Sequence, residues 1–208
     1  MRPLSPGIAT LHLWSLSEDV VLHRTARDDR LILSSPWGVN RLERPGPLVL
    51  EALRRMELGP VLLANALPGH PDDRPKDDTP AILVPVLTGL SHLIVRTLGV
   101  DDLGGPLLSV FPVEPAARFT LVRLTGGKPM RLPDTAVLTS LPSGFSLEAT
   151  TSAHRVVLHR PEAAMVVALL AWPVTHEAAS AALPLPPQVT EAVLCYLAAA
   201  GMAVWADG

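Results

Sequence analysis

Cysteine occurs once in the 208 residues, at position 195, so no internal disulfide can form and the chain suits a reducing compartment. Cys195 stands in the apolar run Val193-Leu194-Cys195-Tyr196-Leu197, where a small buried hydrophobe is expected rather than a nucleophile. Aromatic residues make up only 4% of the chain, so the core has to be assembled from Leu, Val and Ala. Charge of one sign is also lacking. A formal net charge of −3 offers no field to attract nucleic acid or anionic lipid. The opening Met1-Arg2-Pro3-Leu4-Ser5-Pro6-Gly7 has no apolar signal-peptide segment, which predicts a cytoplasmic protein. The most apolar stretch, Ala81 to Leu98, contains Pro85, Gly89, His92 and Arg96, and it reads as a buried helix rather than a membrane span. On such a helix Thr88, His92 and Arg96 would form one polar stripe.

What is present describes a folded mixed protein. Hydrophobic residues reach 48% against 18% charged, which excludes general disorder. The 22 prolines and 14 glycines fit many short elements joined by tight turns. Extended segments are expected over His12 to Val21 and Leu31 to Leu42, with polar turns at Arg27-Asp28-Asp29-Arg30 and Ser35-Pro36-Trp37-Gly38. A helix follows from Pro47 to Leu58, with Leu48, Val49, Ala52, Leu53 and Met56 on one face and Gly59 as its stop. A short helix is expected from Pro60 to Leu67. Pro68 to Pro80 then carries Asp72, Asp73, Asp77 and Asp78 among four prolines. Its spacing lacks the central Gly and closing Glu of a calcium loop, so a solvated loop is expected, open to trypsin at Lys76. Leu107 to Val113 is again extended.

The second half repeats this order. Strands are expected over 136–139, 145–149 and 155–159. Helices are expected from Pro161 to Trp172, Thr175 to Leu183 and Pro187 to Ala200, with a closing strand from Met202 to Trp205. Thr175 is placed as a helix cap, and Pro161 and Pro187 in first helical turns. Leu42-Glu43-Arg44-Pro45 and Leu158-His159-Arg160-Pro161 occupy matching places, as do Leu31-Ile32-Leu33 and Phe145-Ser146-Leu147. A duplication accounts for this. The expected architecture is α+β, with two tandem winged helix-turn-helix units over residues 1–120 and 121–208.

Winged helices commonly bind DNA through a third helix rich in Arg, Lys, Asn or Gln. Here the segment Gln188 to Ala200 has no Lys or Arg, and its counterpart offers only His92 and Arg96, so DNA binding is disfavoured. Catalytic motifs are missing too. Gly126-Gly127-Lys128 lacks the first Gly of a phosphate loop and is followed by Pro129. No nucleophile elbow or dinucleotide fingerprint occurs. His154 and His159 fall on opposite faces of one expected strand and do not make a simple metal site.

Several segments carry a family resemblance. Leu13-Trp14-Ser15-Leu16-Ser17-Glu18-Asp19-Val20, Pro36-Trp37-Gly38, Glu51-Ala52-Leu53-Arg54-Arg55-Met56 and Leu58-Gly59-Pro60-Val61 are four of them. So are the run from Leu90 to Gly99, the run from Asp101 to Val110, and the run from His154 to Ala164. Together they resemble the amino-terminal region of actinobacterial SagB-type peptide dehydrogenases of thiazole/oxazole-modified peptide and thiopeptide pathways. The resemblance implies a system that oxidises azolines to azoles in ribosomally made peptides, using FMN in a nitroreductase-like domain. In that family the catalytic domain follows a region like this one, so no cofactor is expected in this chain itself.

The resemblance also implies PqqD-type recognition elements, which take a leader peptide as an added strand beside their third strand and against their third helix. On that basis the expected peptide-binding residues are Arg155, Val156, Val157, Leu158 and His159 on the strand, with Gln188 and Glu191 on the opposing helix. Expected partners are a precursor leader peptide, the FMN domain or a cyclodehydratase, and a second copy of the chain; nucleic acid and membrane are not expected. The alternatives are a scaffold that dimerises the dehydrogenase or docks a cyclodehydratase, and a part of the oxidoreductase that closes over flavin.

Overall fold

The computed structural model describes residues 7–25, 30–65, 78–124 and 126–206. Alternating apolar and polar residues produce the first strand, β1 (Thr10–Leu16), and a three-stranded meander of β2 (Val21–Thr25), β3 (Arg30–Ser35) and β4 (Gly38–Glu43). Pro36 and Trp37 make the tight turn that joins the last two strands. Helix α1 (Pro47–Leu58) begins on proline, where a missing amide is harmless, and buries Val49, Ala52, Leu53 and Met56 on one stripe. The chain continues through β5 (Val61–Leu62), α2 (Asp78–Gly89), β6 (Ile94–Val100) and β7 (Pro106–Pro112).

The second half contains β8 (Met130–Arg131) and a second meander of β9 (Ala136–Leu141), β10 (Gly144–Ala149) and β11 (His154–Leu158). After it come α3 (Pro161–Leu169), α4 (His176–Ala182), α5 (Pro187–Ala199) and β12 (Val204–Trp205). The Thr175 side chain caps α4 by accepting the amide of Ala178 at 3.2 Å.

The fold is mixed α+β. Its main sheet has seven antiparallel strands in the order β5-β1-β6-β7-β11-β10-β9, while β2-β3-β4 and β12-β8 form separate small sheets. The two meanders share one register. Leu31 faces Leu42 and Leu22 faces Leu33 in the first. Phe145 faces Leu158 and Leu138 faces Leu147 in the second.

Two apolar clusters hold the molecule together. One joins Trp14, Leu31, Leu33, Leu53, Leu83 and Ile94. The other joins Leu98, Leu108, Val110 and Phe119 to residues of α3 and α5 such as Val166, Val193 and Leu197. The division between clusters thus falls near residue 96, inside β6, and β7 pairs with β11 across the expected boundary at 120. The halves share a sheet rather than standing apart.

Two segments expected to be helical are not. Ala81 to Leu98 is helical only to Gly89; after a 3₁₀ turn at Ser91–Leu93 the β-branched run beginning Ile94-Val95 forms central strand β6, buried at every position. Thr88, His92 and Arg96 therefore lie on three different elements. Pro60 to Leu67 also fails as a helix: Val61–Leu62 pairs with β1, and a 3₁₀ turn occupies Leu63–Asn65. The Asp/Pro-rich loop, with Lys76, falls mostly outside the described residues. Among the described residues no helix is long and apolar enough to cross a membrane.

Candidate functional site

The strand expected to receive a peptide has no free edge. β11 pairs with β10 through Leu158, Val157, Val156 and Arg155, and with β7 along its other side. Beyond the strand, His159 donates its amide to the carbonyl of Leu107 at 2.9 Å. The place beside the third strand is thus filled by the chain's own β7, and strand addition there is ruled out. Gln188 and Glu191 are exposed on α5, but α5 packs over β6 and β1, while α3 lies by β11 and β7. The expected strand and helix do not form two walls of one cleft. Sequence periodicity located these elements and could not say which neighbour each strand would find.

Among the described residues, β2 has a strand neighbour on one side only. In the first meander Ser35 and Gly38 close the tight turn, so Leu31 and Leu33 direct their backbone groups to β4. Arg30, Ile32 and Ser34 turn the other way, to Thr25, His23 and Val21. The outer edge of β2 is therefore formed by Leu22 and Arg24. Leu22 donates its amide to Glu57 Oε1 on α1 at 3.4 Å, a long contact in which a carboxylate occupies the position of a strand carbonyl.

Beside this edge runs a groove of about 670 Å³ between β2, β3 and α1. Leu22, Leu31, Leu50, Pro45 and Pro47 give it an apolar floor, and Arg24, Glu51, Arg54 and Glu57 give it a rim of balanced charge. The first turn of α1 supplies Leu50 because that residue lies off the buried stripe of Val49, Ala52, Leu53 and Met56. An apolar helix residue outside the core stripe was the sequence signal for this groove, and it passed unused. β4 also has an outer edge, but its beginning is held to the 3₁₀ turn by Asn40 Nδ2 and His92 Nε2, 3.2 Å apart, and by Trp37 tilted on the His92 ring.

Two polar clusters lie elsewhere in the structure. His159 Nε2 lies 2.9 Å from Ser109 Oγ, which lies 2.9 Å from Thr97 Oγ1. No carboxylate orients this imidazole in the hydrogen bonds it makes, burial lowers its pKa, and Ser109 sits buried in mid-strand. A nucleophile needs an approach path and donors for an oxyanion, so this pair is structural. His154, on the opposite face of β11 as expected, is buried against Phe119.

The second cluster surrounds Arg96. Its guanidinium carbon lies 3.3 Å from the Trp14 ring centroid and 4.9 Å from that of Phe119. Tyr196 from α5 stacks on His12, and its hydroxyl is 3.1 Å from His12 Nδ1. Burial lowers the pKa of Arg96, partly offset by Tyr196, and aromatic faces take the place of a carboxylate partner. The cluster ties α5 to β1 and β6.

Burial, with help from Glu191, pushes the Cys195 thiol up, which keeps it protonated and unreactive. Among the described residues no group of three or more His, Cys, Asp or Glu could hold a metal ion. No protein-family model matches this chain, and no curated protein matches it either.

Proposed function

We propose that this chain is a non-catalytic docking module that binds an extended peptide as an added strand along β2, inside the groove closed by α1. One observation carries the reading: an outer strand edge, formed by Leu22 and Arg24, faces a helix across an apolar-floored groove. Strand addition needs these parts and no others, since main-chain hydrogen bonds supply affinity and alternate side-chain pockets supply choice. The motif resemblance supplies the context. The two meander-plus-helix units act as tandem winged-helix recognition elements, and the ligand is the leader of a ribosomally made precursor peptide. The partner is a nitroreductase-like FMN dehydrogenase or a cyclodehydratase. The mode departs from that of PqqD-type elements, because β2 and α1 form the cleft.

Calorimetric titration with the leader and core segments of the precursor encoded beside this chain's gene tests the reading. Leader binding is expected, nearly independent of salt, because the rim carries two Arg and two Glu. Leu22→Pro removes the outward amide while leaving the β2–β3 hydrogen bonds, which belong to Val21, His23 and Thr25. That variant is expected to lose binding with an unchanged circular dichroism spectrum. Wild-type affinity in folded Leu22→Pro would reject the groove. A second reading, a scaffold that brings two copies of the system together, is favoured by the bare edge of β9.

A further inference from the structure

β9 ends the seven-stranded sheet, and neither of its faces is well covered. Val137 is 60% exposed on one face and Leu138 49% on the other. Its six residues, Ala136-Val137-Leu138-Thr139-Ser140-Leu141, include no charge, no proline and no bulge. These are the devices by which edge strands ordinarily avoid pairing with their own kind.

The backbone polarity of this edge follows from hydrogen bonds elsewhere in the sheet. Val113 donates to Ala153 and His159 to Leu107, both at 2.9 Å, so odd-numbered residues of β11 bond to β7. Even-numbered residues of β11 therefore bond to β10, and odd-numbered residues of β9 complete the ladder from the far side of β10. Ala136, Leu138 and Ser140 are left directed outward. The Ala136 amide is already used, donating to Pro133 at 2.9 Å. Among the described residues, both groups of Leu138, both groups of Ser140 and the carbonyl of Ala136 remain without a strand partner.

We propose that β9 pairs antiparallel with β9 of a second copy of this chain, about a two-fold axis through Leu138, making one continuous sheet. An axis normal to the sheet brings only like-facing residues opposite each other, so either Leu138 or Thr139 lies on it. With Leu138 there, its amide and carbonyl pair with their own copies. Each Ser140 amide then reaches the Ala136 carbonyl of the other chain, giving four main-chain hydrogen bonds, and the amide already used is not needed. With Thr139 on the axis, Leu138 and Ser140 of opposite copies would also exchange four hydrogen bonds, so the side chains choose between the two registers.

Side chains agree with the Leu138 register. The two half-exposed leucines meet on the face where Phe145, 39% exposed, adjoins an apolar groove of about 490 Å³ with Met165 and Ala168. No like charges oppose each other, because β9 has none. The inference is independent of peptide binding at β2, which lies in a different sheet.

Sedimentation of the intact chain over a range of concentrations tests it. The wild type is expected to dimerise reversibly. Leu138→Lys and Leu138→Glu, each placing a charge against its own copy, are expected to be monomeric, and an equimolar mixture of the two is expected to dimerise again. Leu138→Pro removes the amide that crosses the axis but none that bonds to β10, and should weaken dimerisation about tenfold or more with the circular dichroism spectrum kept. A wild type that stays monomeric up to its solubility limit would overturn the proposal. So would a Leu138→Lys variant that dimerises as tightly as the wild type, or a mixture that fails to restore the dimer.

Discussion

Arg160→Met should be among the most damaging single substitutions in this chain, although Arg160 lies outside the apolar core. The residue stands at the position just before α3, and its guanidinium holds two carboxylates from different halves of the sequence. Nη2 meets Glu162 Oε1 at 2.8 Å and Nε meets Oε2 at 3.3 Å, a two-point grip, while Nη1 is 2.9 Å from both oxygens of Asp102. Glu162 is only 3% exposed. Removing the arginine strands that carboxylate, and orphaning one member of a buried ion pair costs about 3–5 kcal/mol. Asp102 is more exposed, so its share is small and screened. At about 2–4 °C per kcal/mol for a chain of this size, the melting midpoint should fall by roughly 6–20 °C. The double variant Arg160→Met/Glu162→Met replaces the pair by apolar side chains and should recover most of the loss. Although burial acts to raise the Asp102 pKa, the Gly104 amide and Arg160 outweigh it and hold the carboxyl below its ordinary value. The stability from Asp102 is therefore present above the ordinary carboxylate range and is lost as pH falls through the depressed folded value. Thermal melts by circular dichroism decide the matter. A fall of less than about 2 °C for Arg160→Met, or a double variant no more stable than the single, would refute the reasoning.

Burial lowers the pKa of His154, and of His12 with help from Arg96, so the unfolded chain binds protons more readily. Their contribution to stability is complete above about pH 6.5 and is lost as the pH falls through the folded values; melts between neutrality and pH 5 should show a declining midpoint. His154→Phe should flatten that decline and cost little at neutral pH, because His154 Nε2 is buried without a partner. Gly144→Ala should destabilise by about 3 kcal/mol or more in urea titrations, since its φ is +144° and a Cβ would sit 2.0 Å from the Leu158 carbonyl oxygen. Gly105→Ala, at φ +81° in open space, should cost only about 1–2 kcal/mol, and equal losses for the two would contradict the steric account.

Local rules carried much of the chain. Pro161 and Pro187 start helices as their missing amides allow, Thr175 caps α4, and the stripe of Val49, Ala52, Leu53 and Met56 turns α1 toward the core. Ala81 to Leu98 misled because continuous apolarity does not distinguish a buried helix from a central strand. Gly89 and the β-branched residues after it held the answer. The expected peptide site failed for a different reason. Arg155 to Leu158 do form a strand, but β7 reaches them first.

The sequence by itself determined α1, α3, α4 and α5, the strands of the second meander, and the lack of charge on β9, because each of these depends on neighbours within a few positions. Only the tertiary structure decided which strands end their sheets, that β2 faces a groove under α1, and that Arg96 is enclosed by Trp14 and Phe119. Backbone amides and carbonyls are the same at every residue but proline. Which of them finds a partner is settled by segments far apart in the chain, through contacts that side-chain periodicity does not encode.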